Sequence, residues 1–415
     1  MIQCAPQLWL KDEGVFVMST KKPHEAVRQQ ASNYRWVVLA ASFFSFVAYA
    51  LVFQLVPPLM SSLQAEFGVN DAKAGWLMSM AVVPGIILAL PAGLVMNRYG
   101  FRSLGFLSAV SVAVGSLMTA LASNFLTVLL GRFILGVGGT FLIVGSPTII
   151  PQWFSHGELG KAMGIYGTNM PVAIIIAFPT ATVLGQNFGW RYPFYVGAVV
   201  SLVAALVFVV AVREGPLKGE PRAVKLSDVK RAVGSSEVWK ASLMWLFFET
   251  TTIGFLTWAP KLFQGFKGLE PLHASLLASV VMYSAVFFVP LFGWASDKVG
   301  RRKPFIVAGS VGMALTLISI AYVNDVGLFF SVFALGISAA TIPPLAMAVV
   351  AESLPPRLSG AGFGIVTLCQ NVGITLSAPL AGYLLQTTQS LLLTFFGMSL
   401  FAFAGTVTAL TIKTK

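Results

Sequence analysis

GLVMNRYGFR at residues 93–102 and GWASDKVGRR at residues 293–302 are two versions of one segment, and together they decide the fold. Gly93, Asn97, Arg98, Gly100 and Arg102 of the first align with Gly293, Asp297, Lys298, Gly300 and Arg302 of the second at a constant offset of 200. Each copy stands where a long apolar run breaks into a short basic loop. A fixed period of that length in a mostly apolar chain points to a duplicated membrane bundle. The same offset pairs Gly136 with Gly336, Gly160 with Gly360, Gly164 with Gly364, and Pro179 with Pro379.

Working outward, the 415 residues are 56% hydrophobic and 10% charged, with a mean hydropathy of +0.82, which excludes an ordinary soluble domain. Apolar stretches of about 20 residues recur, the length that crosses a bilayer core as helix. They lack the alternation of barrel strands. Twelve spans are expected near 37–58, 74–96, 103–122, 126–149, 162–184, 192–212, 240–263, 273–295, 304–323, 327–350, 360–385 and 391–411. The expected fold is an all-α membrane protein, twelve transmembrane helices in two pseudo-symmetric six-helix bundles. Residues 1–33 read as a disordered cytoplasmic tail, 34–212 as the N-terminal bundle, 213–239 as a cytoplasmic linker and 240–415 as the C-terminal bundle.

The net charge of +12 raises the question of a polyanionic partner. On the twelve-span topology 22 Lys and Arg fall on the side of the tail and linker and 4 on the other, with Arg132 inside a span. That split is the positive-inside rule, so the basicity records topology in the plasma (inner) membrane, with both termini cytoplasmic, and no nucleic-acid partner is expected. The first ten residues run too soon into Lys11, Asp12 and Glu13 to form a signal peptide, and Met18 is an alternative start. Cys4 and Cys369 make no disulfide framework, the 3 His make no zinc spacing, and no phosphate-cradling loop occurs. No cofactor, metal or enzymatic activity is expected.

These motifs resemble the major facilitator superfamily, and the likeness covers nearly everything after the tail. Its loop signature, Gly-x-x-x-Asp-Arg-x-Gly-Arg-Arg, is matched better by the second copy, because the first has Asn97 in the aspartate position. Arg132 with Gly136, Gly138 and Gly139 matches the family's arginine-and-glycine pattern in the fourth span. The segments VPGIILALPAG (83–93) and GWRYPFYVG (189–197) are generally similar to the cyanate- and anion-permease branch. The resemblance implies a monomeric secondary active transporter working by alternating access, with the lipid bilayer, a small-molecule substrate and protons as partners. It also implies proton coupling or anion handling for Arg132; a packing role against backbone carbonyls is the alternative.

Glu249 falls near the middle of the seventh span, where a fixed charge costs roughly 2.5–3.5 kcal/mol. A carboxyl group there would hold a proton while shielded and release it once the cavity opens to water, as proton coupling requires; a structural glutamate is the alternative. Its repeat partner is Tyr49. Gln54, Asn169, Thr250, Gln370 and Asn371 complete the candidate substrate contacts, although such groups serve equally as interhelical hydrogen bonds. The loop residues form a candidate conformational latch: Gly93, Asn97, Arg98, Gly100, Arg102 and Gln152 in one half, Gly293, Asp297, Lys298, Gly300, Arg301, Arg302 and Glu352 in the other. The carboxylates Asp297 and Glu352 become the amides Asn97 and Gln152, so the N-half latch is expected to be neutral and weaker. The expected solute is a small organic anion or metabolite moved with protons. Efflux of hydrophobic compounds and a transport-dead sensor or scaffold stand as alternatives.

Overall fold

A computed structural model describes residues 33–154, 156–213, 215, 231–355 and 358–412, with the side chains of 90, 93, 94, 97, 98, 156, 359 and 360 outside that description. The expected tail and most of the linker, residues 1–32 and 216–230, lie outside the described residues. Described residues form helices and short turns, with no strand among them.

The N-terminal half contains α1 (Tyr34–Gln54 continued by Val56–Phe67), α2 (Asp71–Ser79 continued by Val83–Tyr99) and α3 (Phe101–Ala120). It goes on with α4 (Phe125–Ile149), α5 (His156–Gly167 continued by Asn169–Phe188) and α6 (Tyr192–Ala211). The C-terminal half contains α7 (Ser236–Lys267), α8 (Pro271–Val299), α9 (Lys303–Tyr322), α10 (Asp325–Ala339 continued by Ile342–Ser353), α11 (Ser359–Thr388) and α12 (Leu391–Thr411).

The offset of 200 survives in the backbone. Gly68 and Gly268 both end their helices in the left-handed region, at φ 60° and 66°, and Gly189 and Gln389 share a positive φ at the next equivalent turn. Packing repeats as well: α1 lies against α4, α5 and α6 as α7 lies against α10, α11 and α12, and α3 joins α4 and α6 as α9 joins α10 and α12. The halves meet through α2 on α11, α5 on α8, and the second segment of α1 on α7.

Eleven of the helices are apolar enough to cross a membrane on composition alone, and α7 is the twelfth. Its middle carries Glu249 and Thr250–Thr252, which dilute its apolar content because that stretch is buried in protein rather than facing lipid. Outward-facing positions such as Leu206, Val210, Phe287 and Phe330 stay exposed and apolar, as a bilayer requires.

Of the differences from the spans expected from sequence, those in α1 and α2 bear on the site. The first span continues past 58 to Phe67, because Pro57 and Pro58 start a new helical segment after a break at Leu55 instead of ending the span. In α2 the break at Met80–Val82 turns Ala81 N–H from the carbonyl of Leu77 to that of Met78, at 3.3 Å. Both breaks free backbone carbonyls inside the membrane, where water cannot satisfy them.

Candidate functional site

A cavity of about 370 Å³ lies between the halves. Helical spacing fixes what faces it. On α1, Phe46, Tyr49 and Phe53 follow at i, i+3 and i+7, one stripe of the helix. Tyr49 packs edge-on to Phe46 at 5.7 Å between ring centroids and stacks on Phe53 at 6.2 Å. Gly139 of α4 makes room for this ring, since a Cβ there would stand 2.1 Å from the Tyr49 ring.

The opposite wall is polar. On α7, Trp245, Glu249, Thr252 and Leu256 share one face, and on α11 Thr367, Gln370, Asn371 and Ile374 do so. Glu249 is buried, and its Oε1 accepts from Trp245 Nε1 at 3.1 Å and Gln370 Nε2 at 2.9 Å. It is the one acidic or basic side chain among the described residues that line the cavity. Tyr49 and Glu249, equivalent positions of the two halves, thus face one space.

The other sequence candidates divide. Gln370 and Asn371 line the cavity. Thr250 does not; its hydroxyl donates to the carbonyls of Leu246 at 2.8 Å and Gly373 at 3.2 Å, tying α7 to α11. Asn169 is buried beside Met170 and Pro171, which line the cavity, without lining it itself. Gln54 is fully buried with both amide atoms unpaired among the described residues, and it does not line the cavity.

Arg132 is fully buried and does not reach Glu249. Its Nε donates to Leu77 O at 2.8 Å, Nη1 to Val52 O at 3.0 Å and Nη2 to Phe53 O at 2.8 Å, with Phe53's ring 5.4 Å from the guanidinium carbon. The partners explain the placement. The helical donor for Phe53 O would be residue 57, a proline without an N–H, and Leu77 O has lost Ala81 N–H to the break in α2. The arginine therefore supplies donors that the two breaks removed.

One end of the molecule is shut by bonds across the halves. Lys261 Nζ on α7 donates to Asp71 Oδ1 at the start of α2 and to Gln64 Oε1 of α1 at 2.6 Å, and Gln64 Nε2 donates to Asp71 Oδ1 at 2.8 Å. Ala72 N–H with Gln386 Oε1, Thr182 with Ser275, and Ser79 with Thr375 O lie on that side too. Sequence reasoning missed this clasp. The available signal was a lysine and an aspartate entering different spans at the same membrane face. It missed Trp245 also, four residues and one helical turn before Glu249.

The basic loops lie at the other end, and each latch forms within its own half. Arg302 donates through Nε and Nη2 to Glu352 Oε1 at 2.9 and 2.6 Å, pairs with Asp297 Oδ1 at 3.0 Å, and reaches Ser296 Oγ at 3.3 Å. The hydrogen bond to Glu352 holds this guanidinium protonated more firmly than an ordinary arginine. In the N half Arg102 donates instead to Val209 O at 3.0 and 2.7 Å, on the last turn of α6. Gln152 donates to Thr148 O at 3.2 Å and accepts from Gly215 N–H at 3.2 Å. Gly300 takes the left-handed turn, φ 70°, and Gly100 has φ 77°. At Gly293 a Cβ would meet Pro344 at an ordinary 3.8 Å, so close helix approach does not demand glycine there. Lys298 lies over the Trp294 ring at 5.1 Å, and Arg301 is exposed. The side chains of Gly93, Asn97 and Arg98 lie outside the described residues.

Comparison with known proteins gives a consistent answer. The family model described as Major Facilitator Superfamily matches residues 42–282 and 267–414. A probable nitrate/nitrite antiporter of Thermus thermophilus is 26% identical over 65% of this chain and 62% of its own length. A probable galactarate/D-glucarate transporter of Bacillus subtilis is 23% identical over 84% of each chain, and a probable nitrate transporter of Staphylococcus epidermidis 22% identical over 91% of this chain and 96% of its own. Among solved structures, a bacterial homologue of the human lysosomal transporter Spinster, inward-facing and unoccupied, superposes with a TM-score of 0.79 at 17% identity, covering 92% of this chain and 99% of that one.

Proposed function

The chain belongs to the major facilitator superfamily and is a multi-pass membrane transporter of small molecules, not an enzyme, and we propose that it is a monomeric, proton-coupled carrier of a small organic anion in the plasma membrane. The observation that carries this reading is Glu249. It is the single acidic group among the described residues that line the cavity, and two donors hold it in place. A lone carboxyl group in such surroundings exchanges a proton as water access changes. The relatives named for nitrate, nitrite and sugar acids favour an anion as the co-transported solute. With termini cytoplasmic by the charge asymmetry, the clasp of Lys261, Asp71 and Gln64 seals the outer face, and the conformation is inward-facing like that of the Spinster homologue. Alternating access then consists of breaking that clasp while the cytoplasmic ends close. Arg132 serves the site from behind, by bracing the breaks of α1 and α2.

The aromatic wall of Phe46, Tyr49 and Phe53 favours a second reading, efflux of a hydrophobic compound in exchange for protons. Proteoliposomes holding a pH-sensitive dye separate the two. Anion salts added outside should carry protons inward in the wild type, and Glu249→Gln should abolish that movement. Proton movement in the opposite sense to an apolar substrate would establish exchange. Undiminished coupled flux in Glu249→Gln would remove Glu249 as the coupling group, and absence of flux with any solute would leave a protein that does not transport.

A further inference from the structure

Apart from the Tyr49 hydroxyl and Thr140, whose hydroxyl donates to Gly136 O, the polar side chains of the cavity gather in one patch on α7 and α11. Trp245 Nε1 and Gln370 Nε2 converge on the same oxygen of Glu249. The second oxygen, Oε2, has no partner among the described residues and is open to the cavity. The Asn371 amide likewise has no hydrogen-bond partner there, and it lines the same space. It is admitted by Gly85 of α2, where a Cβ would stand 2.8 Å from its Nδ2. Across the cavity stand the rings of Phe46, Tyr49 and Phe53, with the Tyr49 hydroxyl, Thr140 and apolar neighbours.

An ionised Glu249 occupies Trp245 and Gln370 itself and repels a second negative charge. Protonation changes both facts: the carboxyl gains an O–H donor and becomes a weaker acceptor, so the two N–H groups can turn to another acceptor. The proton comes from water on the open side, and the only bond formed is that O–H. We infer that the solute is a monoanion with an apolar body, its head taken by Trp245, Gln370, Asn371 and protonated Glu249, its body lying on the aromatic wall. This rests on the proton-coupled anion reading above. Proton and anion then bind with positive linkage at one patch, which is the condition for symport. Arg132 does not line the cavity, and three of its N–H groups are held by backbone carbonyls, so it makes no direct contact with a bound head. A sugar diacid would hold its second carboxylate against phenylalanine rings, a buried charge without a partner. Nitrate would satisfy the patch and leave the rings without a contact.

Weak acids cross bilayers unaided in their neutral form, so the test is calorimetric binding to the purified full-length protein. The probes are phenylacetate, D-glucarate and nitrate, each titrated near about pH 5.5 and about pH 8 in buffers of different ionisation enthalpy, with a coupling of about tenfold expected. Phenylacetate should bind with uptake of up to about half a proton per anion, the most that a tenfold coupling allows, and its affinity should fall about tenfold at the higher pH, with the other two probes at least about tenfold weaker. Glu249→Gln, a permanently neutral side chain, should remove both the pH dependence of phenylacetate binding and the proton uptake that accompanies it. Gln370→Leu should weaken binding about tenfold, the loss of one charge-assisted donor, while the protein retains its wild-type melting temperature within a few degrees. Tighter binding of glucarate or nitrate overturns the substrate class, and anion binding without proton uptake overturns the shared-donor coupling; either result leaves the transporter reading standing if coupled flux is seen in proteoliposomes. Absence of both binding and flux overturns the two together.

Discussion

Replacing Arg132 with leucine tests whether this residue braces the bundle or handles the transported charge. The guanidinium makes three hydrogen bonds to backbone carbonyls in a water-free interior. A hydrogen bond to a charged group contributes about 1.5–3 kcal/mol in soluble proteins, but interhelical bonds in membranes average only about 0.6 and reach about 1.7 kcal/mol. Three bonds at the membrane values give about 2–5 kcal/mol, and the upper half is appropriate because Leu77 O and Phe53 O lack their helical donors. Arg132→Leu should therefore lower the melting temperature in detergent by roughly 4–6 °C for a chain of this size. Pro57→Thr copies Thr257 of the C half and restores an N–H for Phe53 O. In that background Arg132→Leu should cost about 1 kcal/mol less, a coupling within the range of neighbouring residues. Thermal unfolding followed by intrinsic fluorescence reads all four proteins. If Arg132→Leu melts like wild type yet abolishes proton-coupled flux, the brace is wrong and the arginine acts in coupling.

The clasp at the sealed end should also be measurable: Lys261→Met removes its bonds to Asp71 and Gln64, and with side chains 29% and 19% exposed for the ion pair, about 1–2 kcal/mol of bias toward this conformation should go. Electron spin resonance between labels at the equivalent exposed positions Leu126 and Val326 should show a longer component, and an unchanged distribution would refute the gate. Gly139→Ala drives a Cβ into the Tyr49 ring and should destabilise by about 1–3 kcal/mol, with recovery in the Gly139→Ala/Tyr49→Ala double variant; absence of rescue would mean the damage lies elsewhere. Asn97→Asp gives the N half the carboxylate that Asp297 supplies to Arg302, and should shift the conformational populations by about 1 kcal/mol or less at this exposed rim. The same label pair reads it, and identical populations would dismiss the idea that the amide weakens that latch.

Much of the fold was legible in the sequence because duplication leaves a register. An offset of 200 places Gly68 with Gly268 and matches every helix of one half to the other. The helix breaks were not legible: Val56-Pro57-Pro58 reads equally as the end of a span or as a fresh start, and only packing of the second segment on α7 decides it. At the site, Glu249, Tyr49, Gln370 and Asn371 could be found because polar or paired positions in apolar spans are few, and the cavity brings them together. Thr250 could not be separated from Thr252, since residues two apart on a helix face about 200° apart and sequence does not say which direction is inward. Arg132 carried the same ambiguity. A buried cation looks functional until the carbonyls around it are seen to have lost their own donors.

The halves keep their charges at different depths, and the medium explains why. In the C half the bracing pair is Arg302 with Glu352 at the rim, where Glu352 is still 55% exposed and water shares the cost of the charges. In the N half the brace lies deep in the bundle, where what needs a partner is backbone carbonyls, and a guanidinium supplies several donors from one side chain. The C half needs no such brace, because Thr257 stands where Pro57 breaks α1, α8 runs unbroken from Pro271 to Val299, and Val332 occupies the arginine's position. Freed from that duty, the middle of the C half carries the other deep charge, Glu249, whose donors come from side chains that can rotate rather than from a rigid backbone. A cation locked by three carbonyls cannot change partners during a cycle, whereas a carboxyl held by Trp245 and Gln370 can. On the proton-coupled reading proposed above, divergence between the repeats separates support from exchange, placing the fixed charge behind the cavity and the exchangeable group in its wall.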